Sequence, residues 1–362
     1  IYNLDVFTMT LKTPSRRHFL RTLSSAPILI GCNRKTDPKN PILGEGEFTY
    51  EVFHDWGELP ERISYGNTHS VVEDSEGFIY VHHTVHQNSR SDHATVVFDP
   101  DGKFVRSWGN GFAGGAHGML IRKENGEEFL YFCDIVRNIV VKTTLEGEEI
   151  FRIGYPRESP AYQPDPSKRD GRRYDKEGKL VYSPTNLAVG PNGDIYVTDG
   201  YGTYFINRYD KEGNFLQTFG GPGSAPGQTI CPHGIWLDER TDSPSLVVAD
   251  RDNHRLQWFS LEGEHIKFAY GVKRPCHFHE YNGVLLVPDL VAEVTLLDRD
   301  NEVITKLGVG LADTGKRRVM SREHFLPGKF ITPHGCCYDH TGNIFITEFV
   351  DIGRVTKLRK VT

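Results

Sequence analysis

The sequence predicts an all-β protein folded as a six-bladed β-propeller, and three observations support that fold class. The first is a sequence motif that recurs six times along the 362 residues. The equivalent position in each copy, called the anchor position below, is occupied by His69, His117, Thr185, His233, Cys276 or His334. The second is that each copy contains short runs rich in Val, Ile, Tyr and Phe between turn residues, which is the pattern of strands and hairpins. The third is four such runs in a repeat of about 40–45 residues, which is typical of propeller blades.

Within each copy the predicted elements follow in a fixed order. The anchor precedes an apolar run, which predicts the innermost strand, and a turn such as the one at Gly193 follows. The second run usually ends in an acid, namely Asp134, Asp199, Asp250, Asp289 or Glu348. A third run leads to a second turn, as at Asp210–Gly213, and a fourth run ends in glycine, as at Phe219-Gly220. Each complete copy therefore predicts one four-stranded blade.

The two ends of the repeat region predict how the ring closes. The sixth copy stops after its third strand, near Val355–Leu358. Upstream of the first copy, Phe48–Trp56 forms an isolated β-rich run. We expect this run to supply the missing strand of the last blade, because pairing the two chain ends leaves no open strand edge. Residues 46–362 are thus predicted to form one propeller domain.

The first 45 residues predict an export signal and a flexible tether. Arg16-Arg17, within Ser15–Arg21, is a twin-arginine pattern of the kind that a bacterial export receptor recognises. The weakly apolar stretch that follows ends in Leu29–Cys32, which resembles a lipobox whose cysteine becomes acylated. We expect an exported bacterial protein, either periplasmic or anchored to the membrane through lipid on Cys32. Simple cleavage is the alternative to lipidation, and residues 33–45 would be the tether.

Composition narrows the classes of function and partner. The mean hydropathy of −0.45 argues against a transmembrane protein. A formal charge of −6 argues against nucleic-acid binding, which needs a basic face. Cys32 aside, five cysteines remain, an odd number that cannot all pair internally, and we expect Cys336 and Cys337 to be small buried thiols. We expect a monomer that acts on a small-molecule or peptide substrate.

Three stretches interrupt the repeats. Residues 155–183 and 309–331 are long insertions, which are often lids or binding loops. His82–His86, with His93 nearby, predicts a solvated loop in the first blade, with weak metal binding as the alternative.

Histidines at the anchor position predict a metal site on the propeller axis. The first strand of each blade lines the channel, so copies 2, 4 and 6 present equivalent residues about 120° apart. These copies carry His117, His233 and His334, each followed by a glycine that lets the backbones approach closely. Three imidazoles with one open position form a typical catalytic zinc site, so zinc is the expected cofactor. The alternative is that these histidines cap the channel without metal. His69 breaks the threefold pattern, and we expect it to line the same chamber and contact substrate.

A resemblance to a known family supports the repeat assignment and suggests an activity. Asp250–Phe259 resembles the core of an NHL repeat, whose family forms six-bladed propellers. The repeat pattern covers most of residues 65–358, and within it the arrangement is similar to peptidyl-α-hydroxyglycine α-amidating lyase, which cleaves a carbinolamide N–C bond to release a peptide amide and glyoxylate. The segments Ala116–Gly118, Cys231–His233 and Thr332–His334 match that lyase's three zinc-binding histidines.

The same resemblance implies two catalytic residues. Tyr201 lies in the segment that matches the one carrying the lyase's catalytic tyrosine, and Arg251 lies in the segment that matches the one carrying a substrate-carboxylate arginine. Zinc would acidify the substrate hydroxyl, and a tyrosinate near metal and arginine would have a lowered pKa and act as base. An arginine presents a planar fork to a carboxylate. Taken without the resemblance, Tyr201 is equally well a loop aromatic, and Arg251 a salt-bridge partner between blades.

The chain also departs from the lyase pattern. The lyase has a second carboxylate-binding arginine in its first blade, where this chain has Ser64–Asn67 and only Arg62 as a loose substitute. Its calcium-binding aspartate is replaced by Gly335, so the resemblance does not extend to calcium, and its disulfide cysteines are absent. We expect an exported zinc-dependent lyase acting on the C–N bond of a hydroxylated amide. The alternatives are a non-catalytic binding scaffold and a metal-dependent hydrolase on the same fold.

Overall fold

The chain forms a six-bladed β-propeller, which confirms the predicted fold class. The computed structural model describes residues 40–163, 173–311 and 313–361, so the predicted export signal with Cys32 lies outside the described residues. From the axis outward, the strands of blade 1 are Thr68–Glu73, Ile79–His83, Thr95–Phe98 and Phe104–Trp108. Those of blade 2 are Ala116–Glu124, Glu127–Asp134, Ile139–Thr143 and Glu149–Ile153. Those of blade 3 are Asn186–Val189, Ile195–Thr198, Phe205–Tyr209 and Phe215–Gly220.

The other three blades repeat this antiparallel order, and the last one contains both ends of the domain. The strands of blades 4, 5 and 6 are Pro232–Asp238, Ser245–Asp250, Arg255–Phe259 and His265–Ala269; His279–Tyr281, Val284–Asp289, Glu293–Leu297 and Val303–Leu307; and Pro333–Tyr338, Ile344–Glu348, Arg354–Lys360, Tyr50–His54 and Ile42–Leu43. In blade 6, Tyr50 lies opposite Lys360 and His54 opposite Thr356, so an N-terminal strand pairs with the C-terminal one. Ile42–Leu43 adds a fifth strand from within the segment expected to be a tether.

Six of the seven hydrophobic clusters of the described residues lie between neighbouring blades, one at each junction, and the seventh joins Tyr162, Leu180 and Tyr182 of the first insertion. This division follows from strand geometry, because successive residues of a strand point to opposite faces of its sheet. Cys336 packs between blades 5 and 6, and the adjacent Cys337 packs between blades 6 and 1. Both thiols are fully buried, as expected, and the five cysteines of the described chain are free.

In the part of the chain that the structure describes, helical structure is confined to single turns in the connections. The α-helical turn is Thr314–Arg317, and the 3-10 turns are Gly46–Phe48, Asn110–Phe112, Pro160–Tyr162, Arg251–Asn253 and Arg322–His324. Within the described ranges, no helix has the length and apolar character needed to cross a membrane.

The histidine-rich stretch of blade 1 differs from the sequence-based expectation. His82 and His83 lie in the strand Ile79–His83 and are fully buried, so the prediction of a solvated loop was wrong for them. His82 packs against Phe112 and Phe132, and its Nδ1 hydrogen-bonds with a threonine hydroxyl. His82 therefore belongs to the packing between blades 1 and 2, whereas His83 points to the opposite face of the strand, where its ring centroid lies 4.8 Å from that of Tyr65.

Candidate metal centre

The acids at the ends of the second strands fix the chain where it enters the inner strands. Asp199 accepts a hydrogen bond from the backbone N–H of Ser183 at 2.6 Å, and Asp250 accepts one from Ile230 at 2.8 Å. Glu348 accepts one from Ile331 at 2.7 Å. Each donor lies two or three residues before an anchor position, so these buried carboxylates set the position of the residues that face the axis.

The three histidines of blades 2, 4 and 6 are oriented by the blades that follow them. The Nδ1 atoms of His117, His233 and His334 lie 2.6, 2.9 and 2.9 Å from three backbone carbonyl oxygens. Those carbonyls belong to the anchor positions of blades 3, 5 and 1, namely Thr185, Cys276 and His69. A carbonyl can only accept, so each Nδ1 donates its proton and each Nε2 retains a lone pair for a ligand.

The glycine after each of these histidines is required by the same carbonyls. A Cβ built on Gly118, Gly234 or Gly335 would lie 2.6, 2.5 or 2.3 Å from the oxygen that accepts the preceding histidine's Nδ1 bond. Real Cβ atoms essentially never approach that closely. Histidine and glycine therefore act together, since the carbonyl that orients the ring occupies the space of the next side chain.

The three imidazole rings form a nearly equilateral triangle. Their centroids are 4.9 Å apart for His117 and His233, 4.8 Å for His117 and His334, and 4.8 Å for His233 and His334. Burial lowers the pKa of each ring, to about 3 for His117, so the rings are neutral near pH 7. The Nε2 of His334 is buried without a hydrogen-bond partner. Neutral imidazoles with inward-facing nitrogens are the form that binds a metal ion.

Two further anchor residues widen this cluster. Ligand atoms of His69, His117 and His334 lie within 4.8 Å of one another, and so do those of His233, Cys276 and His334. Of the predicted triad, His117 belongs to the first set, His233 to the second and His334 to both. His69 is therefore a candidate ligand and not merely a neighbour of the site. Its ring centroid is 4.6 Å from that of His334. The cluster can hold a metal ion, and neither set includes a carboxylate.

Tyr201 caps the triangle. Its hydroxyl oxygen lies 2.9 Å from Nε2 of His233 and 3.3 Å from Nε2 of His117, and Arg251 Nη1 donates to it at 3.3 Å. Burial raises the pKa of Tyr201 to about 12, and the nearby charge of Arg251 acts in the opposite direction. The protein groups alone therefore do not produce the lowered pKa expected from the sequence. Arg173, from the first insertion, donates to the Tyr201 carbonyl at 2.6 Å.

Arg251 is the exception among the buried arginines of the described chain. Arg240 and Arg255 each contact a buried aspartate, at 2.8 and 2.7 Å, and Arg354 pairs closely with Glu348. Arg251 is equally buried, but its ion-pair partner Asp252 is 3.5 Å away, partly exposed, and 2.8 Å from Arg274. The charge of Arg251 is therefore poorly compensated inside the protein, which is typical of a residue that binds an anion.

A second arginine reaches the cluster from an unexpected direction. Arg62 stacks on Phe104 of an outer strand, so it does not substitute for a first-blade arginine at the axis. Instead, the guanidinium of Arg318, from the second insertion, lies 3.7 Å from the ring centroid of Phe349. That ring is 5.4 Å from His69 and 6.0 Å from His334. The only sequence signal for Arg318 was its place in a long insertion.

Known proteins with related sequences include NHL-repeat and amidating-lyase proteins. The chain is 26% identical to human NHL repeat-containing protein 3 over 59% of this chain and 57% of that protein. It is 30% identical to peptidyl-α-hydroxyglycine α-amidating lyase 1 of Drosophila melanogaster over 44% of this chain and 27% of that protein. It is 38% identical to a probable lyase of the same name from Caenorhabditis elegans over 21% and 22% of the two chains. The matches thus span less than two thirds of each relative, and no family model matches the sequence.

Solved structures agree with the fold. A virginiamycin B lyase from Staphylococcus aureus superposes with a TM-score of 0.54 at 15% identity, over 86% of this chain and 100% of the other. A gluconolactonase from Xanthomonas campestris superposes with a TM-score of 0.55 at 13% identity, over 89% and 99%. At such identities the likeness establishes the propeller fold and carries no information about the reaction.

Proposed function

We propose that this protein is a zinc-dependent lyase that cleaves the C–N bond of a hydroxylated amide carrying a carboxylate. The observation that carries the proposal is a continuous set of contacts from the histidine triangle to a tyrosine and on to a poorly compensated arginine. Tyr201 Oη lies 2.9 Å from His233 Nε2, and Arg251 Nη1 donates to the same oxygen at 3.3 Å. The similarity to amidating lyases supports the choice of reaction.

The histidine cluster fits zinc in its donor chemistry. Its inward nitrogens are neutral, their tautomers are fixed by backbone carbonyls, and the Nε2 of His334 has no protein partner. Such nitrogen-rich sites suit a borderline-soft divalent ion rather than calcium or magnesium, which prefer oxygen ligands. When bound, zinc supplies Lewis acidity that polarises a substrate oxygen and lowers the pKa of a hydroxyl.

The chain's own residues account for orientation and proton transfer. Arg251 holds the substrate carboxylate with its planar fork, which aligns the hydroxylated carbon over the triangle. The hydroxyl oxygen becomes the carbonyl oxygen of glyoxylate as the C–N bond breaks. As a tyrosinate, the form that a bound zinc ion together with Arg251 would favour, Tyr201 Oη would take up the hydroxyl proton and return it to the departing amide nitrogen, so the products are a neutral amide and glyoxylate.

We also propose export through the twin-arginine signal, with lipid on Cys32 or cleavage of the signal. The support is the sequence of residues 15–32 alone. Mass spectrometry of the mature N-terminus in a bacterial host distinguishes the outcomes. A protein that retains Arg16-Arg17 at its N-terminus would contradict export.

The test combines metal content with turnover. Purified wild-type protein is expected to contain about one zinc per chain and to release glyoxylate from N-acyl-α-hydroxyglycine. His334→Ala should lose the metal, because His334 belongs to both candidate ligand sets and each set keeps only two ligands without it. Tyr201→Phe should keep the metal and lose turnover by about 100-fold or more, the usual contribution of a general base.

His277→Gln is the matched control for the metal measurement. His277 directly follows Cys276 and is likewise buried. Its Nδ1 hydrogen-bonds with Asn186, and it belongs to neither ligand set. It should keep its zinc. Full zinc retention in His334→Ala would contradict the site. Turnover that needs zinc but is found only with lactones would favour a hydrolase, and zinc without any turnover would favour a binding scaffold.

A further inference from the structure

Arg318 lies beside the histidine cluster with little to hold its charge. Its Nη2 is 3.3 Å from Asn67 Oδ1 and 3.3 Å from Asp351 Oδ1, and its Nε is buried without a hydrogen-bond partner. Charge-assisted hydrogen bonds are usually about 2.7–2.9 Å long, so both contacts are loose. The Asp351 side chain is 49% exposed, which weakens its attraction further. A closer anionic partner from outside the protein would satisfy these donors.

The two arginines approach the cluster from different sides. Arg251 contacts Tyr201, which lies over His117 and His233. Arg318 stacks on Phe349, whose ring faces His69 and His334. The candidate ligands between them are imidazoles and the Cys276 thiol, and neither ligand set contains a carboxylate. The histidine cluster is therefore flanked by two guanidinium groups that reach it through different neighbours.

We propose that Arg318 binds a second carboxylate of the substrate, so that the substrate is a small dicarboxylate with its reacting carbon between two anionic ends. The assignment of each carboxylate to an arginine rests on the proposed function. Arg251 would bind the carboxylate on the hydroxylated carbon, and Arg318 would bind one on the acyl side of the amide. Phe349 fixes the plane of the guanidinium, and a planar fork in fixed orientation favours a carboxylate. The insertion 309–331 thereby determines specificity.

Binding measured by calorimetry on zinc-loaded protein tests the inference without any turnover. Succinate and glutarate are the dianionic probes, and butyrate and valerate are the monoanionic probes of matched length. In the wild type the dicarboxylates should bind about tenfold tighter or more, because each adds one charge-assisted contact. Arg318→Gln should abolish that preference and leave the monocarboxylate affinity unchanged. Arg251→Gln should weaken both classes.

Lys316→Gln is the charge-matched control. It removes one positive charge from the same insertion, and the Lys316 side chain is 79% exposed and pairs with Asp313 instead of contacting Phe349. It should retain the preference for dicarboxylates. Equal affinity for the two probe classes in the wild type, or an unchanged preference in Arg318→Gln, would overturn the inference.

Kinetics separates this inference from the proposed function. The α-hydroxyglycine amides of succinic and butyric acid differ only in the second carboxylate. If Arg318→Gln raises KM for the succinyl compound about tenfold and leaves the butyryl compound unchanged, both ideas hold. Turnover of both compounds with no effect of Arg318→Gln would retain the lyase and remove the second carboxylate. A dicarboxylate preference that depends on Arg318, without turnover, would retain the anion site and remove the lyase.

Discussion

Replacing Gly234 with alanine tests the idea that histidine and glycine form one unit at each metal-facing position. The new Cβ would lie 2.5 Å from the Cys276 oxygen, 3.0 Å from the Cys276 carbonyl carbon and 3.0 Å from the His277 Cα. All three atoms are backbone, so no side chain can rotate away. Blade 5 must move away from blade 4, and the Cys276 carbonyl would move away from His233 Nδ1, which it now contacts at 2.9 Å.

The expected magnitude follows from these contacts. Overpacking a closely packed site costs about 1–3 kcal/mol, and losing one buried hydrogen bond costs about 1 kcal/mol more. Gly234→Ala should therefore lower the free energy of unfolding of the metal-free protein by about 2–4 kcal/mol. Loss of the partner that orients a ligand should also weaken zinc binding by about 10–100-fold.

Urea unfolding of the metal-free protein and chelator competition for zinc measure the two effects. Gly154→Ala is the matched control, because a Cβ there meets nothing within 4 Å. It should change stability by no more than about 0.5 kcal/mol and leave zinc affinity unchanged. If Gly234→Ala behaves like Gly154→Ala in both assays, the carbonyl does not orient His233 and the reasoning fails.

Two further predictions concern buried charges. Burial raises the pKa of Asp199 to about 6, so the folded state binds its proton more tightly than the unfolded state does. Its contribution to the free energy of unfolding should be fully present below about pH 4 and fall as the pH rises to about 6; urea unfolding across pH 3.5–7.5 should show that slope lost in Asp199→Asn. Arg251→Gln should leave thermal stability unchanged or raise it, because it removes a poorly paired charge, whereas Arg354→Gln should cost about 3–5 kcal/mol by stranding Glu348. Equal losses in the two arginine variants would contradict that contrast.

The blades and the axial histidines could be predicted because both depend on periodicity. Apolar runs between turns recur at a fixed interval, and an anchor that recurs with them must face the same axis. The carbonyls that orient the rings could not be predicted, because a backbone acceptor leaves no mark on the residue that supplies it. Thr185, Cys276 and His69 share no side-chain chemistry, yet they perform the same function. The visible trace was the glycine after each histidine.

Arg318 and His82 escaped prediction for opposite reasons. Arg318 lies in the 23-residue insertion 309–331, and no periodic pattern determines which side chains of an insertion contact the site. His82 lies inside a regular strand, but its polar side chain suggested a loop, whereas tertiary packing against Phe112 and Phe132 accommodates the ring. Local polarity is a weak guide where neighbouring blades supply both apolar contacts and a hydroxyl partner.

The hydrogen bonds that orient the triangle also connect metal binding to closure of the ring. Each metal-facing histidine takes its orienting carbonyl from the next blade, and for His334 that blade is blade 1, across the junction between the ends of the propeller. Blade 6 itself contains Tyr50–His54, paired with the last strand. An opened junction would separate His334 from the His69 carbonyl while leaving the bonds of His117 and His233 within continuous chain. A metal ion bound to all three rings therefore stabilises the closed ring over the opened one, by the free energy of the third ligand.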